Sequence, residues 1–230
     1  MKTIGILGGV GPETTSKIYH SIIDAFKKNN IEMYPSIVIY NLPFPFSIED
    51  DVIIGGINSQ RMLPYLIKGA KILQKAGADF GILPCNTLHK YIDEIRDSSS
   101  LLFLSILDET ILELVSMKIK TVGILATETT VNDKLYNRIL ENNGIDFIYP
   151  TKIQQKRLNR IILGLINNKM NKNREGEIEK ICSDLEKKGA DVILLACTDL
   201  QAAEFSAKIP VVDTTEILIR ASIRELVGKP

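Results

Sequence analysis

Two segments occur twice in this chain, and their recurrence limits the fold more than any other feature. Lys2-Thr3-Ile4-Gly5-Ile6-Leu7 returns as Lys120-Thr121-Val122-Gly123-Ile124-Leu125, and Gly77-Ala78-Asp79-Phe80-Gly81-Ile82-Leu83-Pro84-Cys85 returns as Gly189-Ala190-Asp191-Val192-Ile193-Leu194-Leu195-Ala196-Cys197. With spacings of 118 and 112 residues, the pairs define one structural unit used twice. In the first copy an apolar run from Thr3 to Leu7 ends in a glycine-rich turn, and Ile18, Ile22 and Phe26 follow at helical spacing. The alternation continues with Ser36 to Tyr40, a Pro-rich loop from Leu42 to Phe46, a helical stretch from Met62 to Ala76 and an apolar run from Phe80 to Leu83. Runs that are apolar throughout, alternating with amphipathic helices, predict parallel sheets covered by helices on both faces. The predicted fold class is α/β, with two similar lobes, each a parallel sheet flanked by helices. A pseudo-twofold relation places the functional site between them. Residues 1–108 form the first lobe in this reading and residues 109–212 the second, with residues 213–230 a C-terminal helix that packs on the first.

Composition narrows the function. Of 230 residues 45% are apolar and 24% charged, the mixture of a globular chain rather than a disordered or collagen-like one. Lys plus Arg and Asp plus Glu both number 28, so no global field favours a polyanion and no nucleic acid partner is expected. No apolar run approaches the roughly 20 residues that cross a bilayer, so no membrane partner is expected. Met1 to Val10 runs into the glycine turn without the pattern of a secretion signal, and a cytoplasmic location follows as the expectation. The three cysteines are too far apart for a disulfide framework or a C-x-x-C site and read as reduced thiols.

The repeat gives two of those cysteines equivalent places. Cys85 and Cys197 each end an apolar strand and precede helix-capping residue types, Asn86-Thr87 and Thr198-Asp199. Open α/β sheets bind ligands at that edge. A thiol beside a helix N-terminus has its pKa lowered toward neutrality, which makes it a usable base. Two such thiols facing each other across a cleft suit stereoinversion, one removing a proton from a carbon acid and the other returning one to the opposite face. The alternative for both is burial as packing residues. Cys182, at helical spacing with Ile178, Ile181 and Leu185, reads as core.

Four blocks then carry a resemblance across essentially the whole chain: Ile6-Leu7-Gly8-Gly9-Val10-Gly11-Pro12-Glu13-Thr14-Thr15, Pro84-Cys85-Asn86-Thr87-Leu88-His89, Thr127 to Thr130, and Ala196-Cys197-Thr198-Asp199. In order and spacing they resemble the aspartate/glutamate racemase superfamily, and within it the cofactor-independent aspartate and broad-specificity amino-acid racemases. The resemblance implies a two-lobed α/β fold, a small amino acid substrate with aspartate leading, and proton transfer at Cα without pyridoxal phosphate, any other cofactor or a metal. It further implies Cys85 and Cys197 as the acid/base pair and a homodimer. Asn86, Thr87, Thr127, Thr130 and Thr198, with Gly9 in the first turn, would hold the α-carboxylate and α-amino group. Lys156 would lie near a distal carboxylate. One departure bears on the substrate. Aspartate-specific members carry an Asp-Arg pair after a proline following the second strand, whereas here the stretch is Asn41-Leu42-Pro43-Phe44-Pro45-Phe46-Ser47. Ser47 stands in place of the arginine, and Phe44 and Phe46 favour a larger or less acidic side chain. Val10 and Asp199 replace residues that are commonly Met and Glu.

Other readings have less behind them. Gly9-Val10-Gly11 lacks the third glycine and the acidic strand end of a dinucleotide fingerprint. Cys85 and His89 are four residues apart, as two metal ligands on a helix can be, without further Cys or His nearby. A Cys–His hydrolase would use His89 and leave Cys197 unexplained. Glutamate racemisation, another carbon-acid isomerisation within the superfamily, and amino acid binding without turnover remain as alternatives.

Overall fold

The computed structural model describes residues 1–29, 31–45, 47–48, 52, 59–167 and 175–228. Phe46 lies outside them. The first half contributes strands Thr3–Gly8 (β1), Ser36–Asn41 (β2), Phe80–Ile82 (β3) and Leu102–Leu104 (β4), joined by helices Pro12–Lys28 (α1), Leu63–Lys75 (α2) and Ile92–Ser98 (α3). Helix Ile106–Ser116 (α4) leads into strands Thr121–Ala126 (β5), Asp146–Ile148 (β6), Val192–Ala196 (β7) and Val211–Asp213 (β8). Between them run helices Glu128–Asn132 (α5), Asn137–Asn142 (α6), Lys152–Ile166 (α7) and Glu175–Lys187 (α8), and Thr214–Val227 (α9) closes the chain.

Every strand pair is parallel, and the two four-stranded sheets have the same order, β2-β1-β3-β4 and β6-β5-β7-β8. The α/β class with two similar sheets, expected from the repeat, is what the chain adopts. The central strands are buried almost end to end, as parallel strands covered on both faces must be. On one face of the first sheet, Ile4, Ile6 and Phe80 pack against Ile18, Ile22 and Phe26 of α1 and Leu218 and Leu226 of α9. On the other face, Leu7 and Leu83 meet Leu66 and Leu73 of α2 and Ile95 of α3. The second sheet is covered on one side by Leu158, Ile162, Ile178 and Cys182, and on the other by Ile111, Leu114, Tyr136 and Leu140. Helix α9 also pairs with α4 through Arg220–Glu113 and Arg224–Glu109, at 2.7 and 2.6 Å.

The repeated Gly-Ala-Asp has a physical reason. Gly77 and Gly189 follow α2 and α8 at φ 87° and 98°, the left-handed conformation that stops a helix. The next amides close the same loop in both halves, Ala78 N–H to Leu73 C=O and Ala190 N–H to Leu185 C=O, both 3.1 Å. The aspartate then caps the neighbouring strand. Asp79 accepts from Thr3 N at 2.7 Å, and Asp191 accepts from Lys120 N and Thr121 N at 3.0 and 2.8 Å.

No atom lies within 4 Å of a Cβ placed on Gly77 or Gly189, so alanine there meets only the backbone penalty of a left-handed residue. Each of Gly77→Ala and Gly189→Ala is expected to cost about 1 kcal/mol. In the double variant the losses should add, the sites lying in different lobes. Urea unfolding of the four proteins checks this, and a neutral substitution at either site would mean that helix end does not depend on the left-handed turn.

Candidate active site

In a sheet of order β2-β1-β3-β4 the connections reverse direction between β1 and β3, and in its partner between β5 and β7. Crevices for ligands form at the carboxyl ends of strands flanking such a reversal. Here the two crevices share one narrow cleft. Its first half brings Val10 and Gly11 after β1, Phe44, Val52 and Met62 from the region before α2, and Cys85, Asn86, Thr87 and Leu88 after β3. From the second half come Thr127 after β5 and Cys197, Thr198 and Asp199 after β7. Both cysteines line the cleft while their flanks belong to the apolar clusters, and they are 9% and 6% exposed. Cys182 lies away from it, packed with Ile178, Ile181 and Leu185.

Residues after each cysteine tie the halves together. Thr87 Oγ1 lies 2.9 Å from Thr127 Oγ1 and 3.1 Å from Thr130 Oγ1, and Thr127 Oγ1 donates to Thr130 Oγ1 at 3.0 Å. Thr127 also caps α5, accepting from Thr130 N–H at 3.1 Å. Asn86 donates from Nδ2 to Thr214 Oγ1 at 3.0 Å and accepts from the Tyr136 hydroxyl. One amide N–H of Asn86 remains for a ligand. Thr198 Oγ1 donates to Pro84 C=O at 3.3 Å. Asn86, Thr87, Thr127 and Thr198 thus meet at the cleft. Thr130 stands behind Thr87 in the hydroxyl triangle.

Two expected site residues have other surroundings. Gly9 spends its N–H on Thr15 Oγ1 at 3.1 Å, and the cleft wall there is Val10 and Gly11. Lys156 is exposed on α7 and does not line the cleft, because its neighbour Gln155 holds the inward position and donates to Ala126 C=O at 2.9 Å. Ser47 is exposed as well.

The lowered thiol pKa expected from a helix N-terminus is not what surrounds Cys197. Neither cysteine precedes a long helix. Each leads into a five-residue 3-10 turn, Thr87–Tyr91 or Thr198–Ala202, and neither Asn86 nor Cys197 makes a side-chain cap. Burial pushes the Cys197 thiol well up, reinforced by the Asp199 carboxylate, to which Sγ donates at 3.8 Å. Burial also pushes Asp199 up, to about 6, against an opposing hydrogen bond from Thr14 Oγ1 at 3.4 Å.

His89 neither binds metal with Cys85 nor activates its thiol. Its Nε2 accepts from Ile106 N–H at 3.1 Å, which places the proton on Nδ1, and Nδ1 then donates to Cys85 C=O at 2.7 Å. The buried ring braces the cysteine turn against the start of α4. Among the described residues no cluster of three or more His, Cys, Asp or Glu could hold a metal ion. Among the described residues no helix is long and apolar enough to cross a membrane.

Sequence reasoning missed Asp199 as a wall of the cleft, together with the supports Tyr136, Thr214 and Thr14. The signal for Asp199 was the asymmetry of the repeat. Two residues beyond the cysteine, the first copy has the neutral Thr87 and the second a carboxylate.

The comparisons with known proteins agree with this architecture. The Asp/Glu/Hydantoin racemase family model matches residues 7–222. The broad specificity amino-acid racemase RacX of Bacillus subtilis (strain 168) is 33% identical over 227 residues, covering 96% of each chain. A Picrophilus torridus aspartate racemase superposes with a TM-score of 0.81 at 26% identity, over 100% of this chain and 96% of its own. An aspartate racemase homologue from Pyrococcus horikoshii OT3 gives 0.80 at 28% identity over the full length of both. The chain belongs to the Asp/Glu/hydantoin racemase family, and with it to the isomerases.

Burial pushes His89 down from 6.5 to about 4. Below pH 6.5 the unfolded chain takes up a proton that the folded ring refuses, so this residue's contribution falls as pH drops from 6.5 to 4, by about 3 kcal/mol in all. Asp199 acts oppositely: with its folded value raised from 3.8 to about 6, its contribution is lost as pH rises through that range. The readable quantity is therefore the difference between wild type and His89→Gln, which should shrink on acidification. A pH-independent difference would mean that His89 is not held neutral.

Proposed function

We propose that this protein is an amino acid racemase independent of pyridoxal phosphate, in which Cys85 and Cys197 form a two-base pair. The observation that carries the reading is the arrival of one thiol from each half, at equivalent strand ends, in a single cleft. For one enantiomer the Cys85 thiolate takes the α-proton. The Cα–H bond breaks, an S–H bond forms, and the electron pair is delocalised into the α-carboxylate. The Cys197 thiol, which its surroundings keep protonated, then gives its proton to the opposite face. The sulfurs exchange protonation states, no net proton is consumed, and the other enantiomer runs the sequence backwards.

Asn86, Thr87, Thr127 and Thr198 form the cradle for the α-carboxylate in this reading. Amide and hydroxyl donors fixed by neighbours before reaction stabilise charge developing on the carboxylate without having to reorganise. Buried surroundings and a closed cleft strengthen that effect. The likeness to the Picrophilus torridus enzyme favours aspartate, the leading substrate expected from sequence, while Ser47 in place of the arginine and the apolar part of the lining count against it. A broader range is supported by the identity to RacX. A homodimer belongs to the same reading through the family resemblance, and a cytoplasmic location through the sequence pattern of Met1 to Val10.

The test incubates single enantiomers of several amino acids in D2O without added pyridoxal phosphate. Two-base chemistry predicts that early product carries deuterium at Cα while recovered substrate keeps its proton. Cys85→Ala and Cys197→Ala should each lower kcat/KM by roughly 100- to 10,000-fold. Equal labelling of substrate and product in early turnover, or full activity in either variant, would overturn the scheme.

A further inference from the structure

An amino acid brings two charges to such a cleft, and the lining has an answer for each but none for a third. The α-carboxylate has the hydroxyl and amide cradle. Among the described residues, the one carboxylate in the lining, and so the partner for the α-ammonium, is Asp199, and no Lys or Arg of those residues lines the cleft or pairs with it. Its two side-chain contacts are long, 3.4 Å from Thr14 Oγ1 and 3.8 Å from Cys197 Sγ, and with its own backbone N–H they leave acceptor capacity for a ligand. The position fits the α-substituent rather than the tip of a long side chain, because a thiol that must reach Cα lies beside it. Thr14 is itself held by Gln201 Nε2 at 3.3 Å, which fixes the direction from which the carboxylate is presented.

The first half contributes to the lining an apolar set of Val10, Phe44, Val52, Met62 and Leu88. Residues 46–58, which include Val52 of that set, contain no Lys or Arg. A distal carboxylate would have to sit unpaired against hydrocarbon or beside Asp199, and either placement is unfavourable.

We propose, building on the racemase reading, that Asp199 anchors the substrate's α-ammonium and that the Val10–Phe44–Met62–Leu88 wall selects a neutral aliphatic side chain over an acidic one. The anchor also serves the chemistry. A carboxylate paired with the ammonium keeps it protonated inside the cleft, and a protonated amine makes the neighbouring Cα–H more acidic.

The experiment has a binding arm and a turnover arm. Calorimetry compares leucine, aspartate, lysine and 2-hydroxy-4-methylpentanoate, the hydroxyl counterpart of leucine, on wild type, Asp199→Asn and Asp199→Glu. Asp199→Asn should weaken leucine at least 10-fold and leave the hydroxy acid within 2-fold, with Asp199→Glu recovering part of the loss. A merely structural role would weaken both ligands alike. In the turnover arm leucine should exceed aspartate in kcat/KM by at least 10-fold, and Phe44→Arg should lower the aspartate KM. Tighter binding of aspartate or lysine than leucine, or equal loss of leucine and hydroxy acid in Asp199→Asn, would overturn the proposal. Leucine binding that depends on Asp199 without any α-proton exchange would support the anchor and refute the racemase reading, whereas exchange unaffected by Asp199→Asn would do the reverse.

Discussion

The buried amide of Asn86 is the contact on which the arrangement of the two halves turns. It follows the end of β3 and makes both of these hydrogen bonds to the other side of the molecule, donating to Thr214 at the start of α9 and accepting from Tyr136. Tyr136 and Thr214 are fully buried, so separating the halves would strand polar groups out of water. Thr214 in turn donates to Leu195 C=O of β7 at 2.8 Å. One chain of hydrogen bonds therefore runs from the Cys85 turn into the strand that ends at Cys197. The spacing of the two thiols is set by this seam rather than by either sheet alone.

The seam follows the repeat. One residue beyond each cysteine, Asn86 reaches across to Thr214 and Thr198 reaches back to Pro84 C=O. Two residues beyond, Thr87 crosses to Thr127 and Thr130, and Asp199 crosses to Thr14. Four residues beyond, the copies diverge. His89 turns onto the carbonyl of its own cysteine, while Gln201 continues across to Thr14. A duplicated unit has thus kept its crossing positions and changed the chemistry of what crosses.

The fold was legible because its evidence is local. Continuous apolar strands, helical spacing and the Gly-Ala-Asp repeat each follow from a few adjacent residues, and Gly77, Gly189, Asp79 and Asp191 do in space what their recurrence implies. The cysteines were legible for the same reason. What sequence left dark depends on orientation. Whether Gln155 or Lys156 faces inward is a matter of about 100° around a helix, decided by Gln155 reaching Ala126 C=O. The capping role assigned to Asn86 and Thr198 failed because each cysteine enters a short 3-10 turn, and the side chains were free to bond across the seam instead. His89 looked like a ligand or a base until both ring nitrogens were accounted for by backbone.

A pseudo-symmetric pair of bases does not have to be a symmetric one. Racemisation near equilibrium requires both directions to run at comparable rates, yet the surroundings of the two sulfurs differ. Cys197 has a carboxylate at 3.8 Å, whereas the corresponding place beside Cys85 holds the neutral Thr87. A carboxylate next to a thiol holds the proton on sulfur, which suits the group that must donate. Pairing Asp199 with an incoming ammonium would spread its charge over a cation and relieve that effect on Cys197, bringing the sulfurs closer in proton affinity. Substrate charge would then supply the balance that the duplicated fold no longer provides by itself.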